Sequence, residues 1–352
     1  MGLEPTTFRV TVGRSNQLSY HRHFVRLAKN AKRKHSGFSS PNQAPLVLLL
    51  ALDFPFVEVM AQSFETTRAD VSIQPGSTKR RVLVTGGAGR IGSYFAEHTH
   101  HKYDLVLFDR DADELQAVEQ WGRVVVGELS DLQALKNACE DVDTLVHLAG
   151  NPSAEQTWSS VVENNITGTY NAFVAAKSAG CRRVIFASSI HAVSGYAKDV
   201  QVKTSEPVNP GDLYGVSKCF GEALGRYLAV QEGVSVIALR IGAFQPESSA
   251  LEDDLGIMDG WVSRRDLLQL MERCIEVEQV RFAVLHALSD NRFKRLDISD
   301  ARELVGYAPQ DDFTELNPLL RDLHFNEQVQ THGATQDEGK SGLRDELREL
   351  ES

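Results

Sequence analysis

The chain has 352 residues, 42% hydrophobic and 24% charged, with a formal net charge of -11 at pH 7. That length and balance suit one large α/β core or two smaller units and exclude a fibre or a repeat array, while the acidity argues against a nucleic-acid partner. The four cysteines, Cys139, Cys181, Cys219 and Cys274, show no CxxC or metal-ligand spacing, so they read as reduced thiols, no metal is expected, and a cytoplasmic location fits.

Residues 1–77 read as an N-terminal extension outside the fold. Before Met60 there are eight Lys and Arg against three acids. The apolar run APLVLLLAL falls far short of the roughly 18 residues needed to span a bilayer, so no membrane anchor is expected. A basic, acid-poor lead also suits a transit peptide, but the preferred reading is a start at Met60, because a nucleotide-binding corner usually opens such a chain.

From Lys79 strands and helices alternate. RVLVT (81–85) is a short apolar run of the kind buried on both faces of a parallel sheet. Gly86, Gly89 and Gly92 then recur at a spacing of three, for a tight turn, a close backbone approach to a pyrophosphate, and close packing of the next helix. The free N–H groups at that helix start face the negative charge. Asp109, closing DLVLFD about twenty residues on, is the acidic partner expected on a ribose. A carboxylate there repels a 2′-phosphate, so NAD is favoured, and Arg110 beside it keeps NADP open. Further strands are expected at 123–127 and 143–148, with helices near 112–119 and 131–139. A long helix over VVENNITGTYNAFVAAKSAG stops at Gly180, the strand RRVIFAS follows, and a helix from 213 to 231 precedes the strand VSVIALR. The pattern predicts a Rossmann-type doubly wound parallel sheet over 78–239.

After Arg240 the period is irregular. Ser263 with Asp266 three residues on reads as a capping-box-like helix start, VRFAVLHAL as a strand, and ISDARELVGY as a short helix. Residues 240–325 are assigned to a small C-terminal substrate lobe and 326–352 to a polar tail. His98, His100 and His101 cluster without carboxylates or thiols and read as a solvated helix end.

The chemistry points to Tyr214 and Lys218. Spaced i, i+4 on a helix, they share one face. A phenol titrates near ~10, and lowering that by two to three units takes roughly 3–4 kcal/mol, which a cation about 4–5 Å away supplies at an effective dielectric of ~20. Such a pair is a candidate general base. Hydroxyls leaving the carboxyl end of a parallel strand point into the ligand crevice, so Ser189 is the candidate for holding the reacting oxygen, with Ser188 its competitor. Arg240 reads as a strand-end anchor, and Cys219 faces away from the pair.

Together TGGAGRIG, HLAG, NNITGT, FASS and YGVSK resemble the extended short-chain dehydrogenase/reductases, the NAD-dependent epimerase/dehydratases, over roughly residues 80–310. The resemblance implies Tyr214 as catalytic base, Lys218 on the nicotinamide ribose, Ser189 orienting substrate, and Asn165 supporting the lysine through a proton relay. It places Arg90 and Ile91 with the glycines on the cofactor, Glu128 and Leu129 near the adenine, and Leu148, Ala149 and Gly150 along the cofactor. LYGVSKCFGEAL, LRIG and the Trp-x-Ser-x-x-Asp segment at 261–266 are similar more narrowly to uronate dehydrogenases, which implies Ser153, Ile190 and His191 at the substrate. Three positions depart from that pattern: Ile190 stands for an Asn, Ala243 for a Ser, and no Arg precedes the Trp segment, although a carboxylate is best held by an Arg fork.

The leading expectation is an NAD-dependent dehydrogenase acting on a hydroxyl of a small sugar, sugar acid or polyol. The alternatives are a nucleotide-sugar epimerase or dehydratase and a catalytically silent cofactor-binding regulator. The expected partner is a small carbohydrate, with no nucleic acid and no membrane, and pairing of copies through the two long helices suits the family.

Overall fold

The structure is a computed structural model that describes residues 79–155, 157–252 and 255–321. The expected N-terminal extension over 1–77 and polar tail over 326–352 lie outside the described residues.

The chain alternates as its periodicity predicts: β1 (Arg81–Thr85), α1 (Arg90–Thr99), β2 (Asp104–Asp109), α2 (Ala112–Gln116), β3 (Arg123–Val126), α3 (Leu132–Ala138) and β4 (Thr144–His147). There follow α4 (Gly168–Ser178), β5 (Arg183–Ser189), α5 (Leu213–Glu232) and β6 (Ser235–Ile241). Acidic N-caps start the helices. Asp111, Asp131 and Asp212 accept backbone N–H bonds at the heads of α2, α3 and α5, satisfying donors that the first turn leaves free. The expected long helix begins differently. Val161–Thr167 is π-helical, with the Gly168 N–H bonded to the Glu163 carbonyl five residues back, and this wider turn carries Asn165 into the interior.

Among the described residues seven strands form one parallel sheet, in the order β3-β2-β1-β4-β5-β6 followed by Phe282–Ala287 beside β6. β5 is buried along its whole length and β3, at the edge, is not. Phe95, Leu267, Leu270 and Met271 cover one face, and Leu135, Ala172, Phe173 and Leu228 cover the other. Each such side chain contributes about 1.5–3 kcal/mol by leaving water. The strand order reverses between β1 and β4, and a crevice opens at the carboxyl ends of such strands.

Residues after Arg240 contribute both small elements of their own and a strand of the main sheet. A short pair, β7 (Ala243–Phe244) with β8 (Trp261–Val262), leads into α6 (Arg264–Glu276), and β9 (Phe282–Ala287) then becomes the seventh strand of the main sheet, followed by α7 (Ser299–Val305). The apolar residues of β9 extend the core beside β6, while Ala250, Trp261, Phe313 and Leu320 form a small cluster of their own. The capping box at α6 is also altered. Ser263 Oγ accepts from the Asp266 N–H at 3.2 Å as expected, but the return bond runs through Ser289, whose Oγ accepts from the Ser263 N–H and donates to Asp266 Oδ2. Among the described residues no helix is long and apolar enough to cross a membrane.

Two features fix the ends of the sheet. At the carboxyl end, Gly86 turns the chain with φ at 72°, and a methyl at Gly92 would lie 2.1 Å from the Gly86 carbonyl oxygen. At the foot, Arg182 grips Asp143 with two bonds of 2.9 Å. Burial pushes the Asp143 carboxyl up, but the bonds from Arg182 and Thr144 and the charge of Arg80 outweigh it and hold it below the ordinary carboxylate range.

Gly92→Ala is expected to force α1 off β1, costing about 1–3 kcal/mol as other overpacked contacts do, and to weaken dinucleotide binding, as calorimetric titration with NAD would register. Asp143→Asn should destabilise by roughly 1–2 kcal/mol at neutral pH. Because the folded carboxyl is depressed, its contribution is present above the unfolded value of about 3.9 and is lost as pH falls through the folded one. The difference between variant and wild type in urea denaturation should therefore shrink on acidification.

Candidate active site

The glycine corner presents what a dinucleotide requires. Gly89 caps α1 with no side chain, leaving the first N–H groups of that helix facing outward. Asp109, at the end of β2, accepts from the Ala88 N–H at 3.2 Å and from the Arg110 N–H at 2.8 Å, one on each oxygen. Each oxygen keeps a lone pair for a ribose diol. The Gly127 N–H bonds the Asp109 carbonyl at 2.9 Å and sets the end of β3 alongside. There Glu128 is exposed and Leu129 packs against Gly168. The expected cofactor residues are thus brought to one edge, and a Cβ at Gly86 would lie 2.9 Å from the Ala149 nitrogen, filling the cradle.

Thr85 ties the tips of β1 and β4. Its carbonyl accepts from the Leu148 N–H, and its hydroxyl meets the Ala149 N–H at 3.4 Å and His147 Nδ1 at 2.7 Å. His147 Nε2 reaches Thr169 at 3.3 Å. Burial first, and then the charge of Lys218, push this imidazole down to about 3, so it is neutral. The histidine belongs to the HLAG motif, whose residue spacing alone assigns it no place.

Helix α5 carries Tyr214 and Lys218 on one face. Lys218 Nζ lies 5.2 Å from the ring centroids of both Tyr214 and Phe186. Ser188 donates to buried Glu222 at 2.6 Å, whereas Ser189 stands close enough to the phenol to favour its ionised form, so Ser189 is the hydroxyl beside Tyr214. Burial pushes Lys218 down to about 8. The expected acidification of the phenol is not what the chain alone produces. Burial and the nearby Asp212 push Tyr214 up, against the neighbouring Ser189, which favours ionisation. The low-dielectric setting that strengthens the pair also penalises the phenolate.

Asn165 is committed elsewhere than the lysine. Its amide accepts from the Asn151 N–H at 2.9 Å and donates to the Asn151 carbonyl and to Ser217 Oγ, both at 3.1 Å. It borders Lys218 only across Gly150, where a Cβ would lie 3.2 Å from Asn165 Oδ1 and 3.9 Å from Lys218 Nζ.

A cleft of about 410 Å³ joins the two halves, lined by Arg90, Ile91, Leu148 and Gly150 on one side and by Ser189, Ile190, His191, Tyr214 and Lys218 on the other. Phe244 and Gln245 close it, with an Arg90 N–H bonded to the Phe244 carbonyl. Ser153 is exposed on the loop beyond Asn151 and is not among the lining residues. His191 Nδ1 meets Asp212 Oδ2 at 2.6 Å, and its ring stands edge-on to Tyr214 with centroids 5.3 Å apart. Asp212 fixes the ring through Nδ1, which leaves Nε2 free of that contact to meet another group. Sequence reasoning missed Asp212, although an Asp directly before a helix start was a signal for it.

Other expected residues build the frame. Arg240 is buried and grips Glu222 through two bonds of 2.9 Å, a pair whose breakage typically costs about 3–5 kcal/mol. Trp261 packs on Phe313, and Asp266 takes backbone bonds from Gln310 and Asp311, so this segment stands behind the cleft. His98 and His100 bond carbonyls of their own helix.

Residues 82–249 match the NAD dependent epimerase/dehydratase family. An NAD-dependent glucose-6-phosphate dehydrogenase of Haloferax volcanii is 36% identical over 253 residues, covering 66% of this chain and 94% of its own. A uronate dehydrogenase of Pseudomonas putida is 30% identical over 231 residues, covering 66% and 84%. The solved uronate dehydrogenase from Agrobacterium tumefaciens superposes with a TM-score of 0.62 at 29% identity, covering 73% of this chain and 92% of its own. With a dinucleotide corner, a Tyr–Lys pair and a Ser facing one cleft, the chain belongs to the NAD-dependent epimerase/dehydratase family.

Proposed function

We propose that this protein is an NAD-dependent oxidoreductase that oxidises a hydroxyl of a small sugar, sugar acid or polyol, with Tyr214 as general base. The observation that carries the reading is that Ser189, Tyr214 and Lys218 line the same cleft as the residues leading from the glycine corner. Relatives named for glucose-6-phosphate, uronate and L-arabinose oxidation support the substrate class.

Asp109, the α1 N-terminus and the stretch Leu148–Gly150 would hold the dinucleotide, and the Asp109 carboxylate favours NAD over its 2′-phosphorylated form. When bound, NAD supplies the hydride acceptor. Ser189 donates to the substrate oxygen and fixes it beside the phenol. Tyr214 Oη takes the hydroxyl proton as the carbon becomes a carbonyl, and the Lys218 ammonium stabilises the phenolate that does so. His191, oriented by Asp212, offers a ring nitrogen to a neighbouring sugar hydroxyl.

The cleft volume supports a small substrate. A nucleotide sugar calls for a large lobe, and much of the chain after Ile241 goes instead into α6 and the seventh strand. Exposed apolar side chains on the long helices, Tyr170 on α4 and Val216, Tyr227 and Val230 on α5, support pairing of two copies through that face.

A screen of aldoses, uronates and polyols with NAD and NADP, read by absorbance of the reduced cofactor, should give net NADH formation; cofactor that is reduced and reoxidised without release would instead indicate epimerisation. Tyr214→Phe is expected to lower kcat by roughly 10²–10⁴-fold with NAD binding nearly intact, and unchanged turnover would remove Tyr214 from the mechanism. Because burial raises the phenol above its ordinary value of about 10 and only its deprotonated form accepts the substrate proton, kcat/KM for oxidation should still be climbing at about pH 9, with no plateau below it. A flat profile would contradict a tyrosine base.

A further inference from the structure

One helical turn beyond Lys218 stands a buried carboxylate. Glu222 follows it by four residues on α5, a spacing that puts Cβ atoms about 5–6 Å apart on one face, and both side chains sit in the interior at 6% exposure. In so dry a setting an ammonium and a carboxylate attract strongly. Yet among the described residues Lys218 has no ion pair with Glu222 or with any other carboxylate.

Glu222 is held from the other side. Arg240, reaching from β6, donates Nε to Oε1 and Nη2 to Oε2, both at 2.9 Å, and Ser188 adds a bond to Oε1 at 2.6 Å. Arg240 is itself fixed, since its Nη1 meets His286 Nε2 at 3.4 Å while His286 Nδ1 meets the Asp297 carbonyl at 2.8 Å. The carbonyl takes the Nδ1 proton, so Nε2 is left as an acceptor for the guanidinium.

We propose that Arg240 is a positioning residue: by occupying both oxygens of Glu222 it prevents that carboxylate from capturing Lys218, and so keeps the ammonium on the Tyr214 side of the cleft. The inference rests on the function proposed above, in which Lys218 serves Tyr214. The surroundings of the lysine fit it. Tyr214 and Glu222 flank it on α5, Phe186, Ser188 and Ser189 lie on β5, neutral His147 on β4, and the Asn165 amide beyond Gly150. The Asp212–His191 pair bears on Tyr214. Glu222 is the carboxylate nearest to Lys218 along α5, and the burial that pushes the lysine down to about 8 is not offset by it.

The test follows the Lys218 ammonium by ¹⁵N NMR across pH in the full-length, cofactor-free protein, beside the pH profile of sugar oxidation. Arg240→Lys keeps the charge but loses the fork, releasing one carboxylate oxygen. Its Lys218 titration is expected to move up by about one unit and kcat to fall about tenfold. The double variant Arg240→Met/Glu222→Gln has no carboxylate to release and replaces a buried ion pair by neutral side chains, which folds tolerate. It should return the Lys218 titration to its wild-type position and recover most of the lost kcat. An unmoved titration in Arg240→Lys, or a displaced one in the double variant, overturns the proposal, and the second result decides alone if Arg240→Lys does not fold. Failure of the dehydrogenase reading would show separately, as absence of NADH formation by the wild type on every sugar tried.

Discussion

Helix α5 lies so close to β5 that a methyl at Gly221 would come within 2.2 Å of the Phe186 ring. That proximity sets everything at the cleft floor. It presses one face of the helix, carrying Tyr214, Lys218 and Glu222 at successive turns, onto the end of the strand that supplies Ser188 and Ser189. Side chains with little room to turn keep their geometry without substrate, which is what a positioned acid–base pair requires. The second half of the site hangs on a comparable tie, the Thr85 hydroxyl and carbonyl that bind the start of the β4 loop to the tip of β1. The glycine corner and the reactive helix therefore face one cleft because each is anchored to an adjacent stretch of one sheet.

Burial on this scale imposes an electrostatic order. Polar groups leave water only with partners, and charges only in pairs or at a functional position. The charges beneath the cleft follow this: Arg240 and Glu222 neutralise one another, His147 and His286 are kept uncharged, and among the described residues Lys218 is left without a carboxylate. The same desolvation lifts Tyr214. A phenol that resists ionisation and an ammonium that gives up its proton more readily are two expressions of one dry environment, and any added positive charge in the cleft acts on both.

Much of this was legible in the residue order. The strand-glycine-helix corner and Asp109 could be read because backbone requirements, a positive φ and a close approach, leave residue-specific marks. Tyr214 and Lys218 could be read because helical spacing alone puts them on one face. Ser189 and Ser188 could not be separated, since alternation gives two neighbouring hydroxyls and only the location of Glu222, thirty-four residues on, decides which is engaged. The pairing of His191 with Asp212 was hidden in the same way, spanning twenty-one residues. The strand at 282–287 was visible as a strand, but its place at the sheet edge depends on the path of the chain through α6, which no local pattern encodes. The contacts of Asn165 with Asn151 and Ser217 were not legible, since they depend on how the π-helical turn meets the loop after β4.

That seventh strand has a bearing on how the molecule is made. β6 acquires its outer neighbour only after some forty further residues have left the ribosome. Until then the strand that carries Arg240 presents a bare edge, the kind of surface that invites mispairing with other nascent chains. The guanidinium is meanwhile without its histidine, which arrives on the same late strand. Synthesis thus delivers the helix of Tyr214 and Lys218 early and the outer strand that braces its neighbour late.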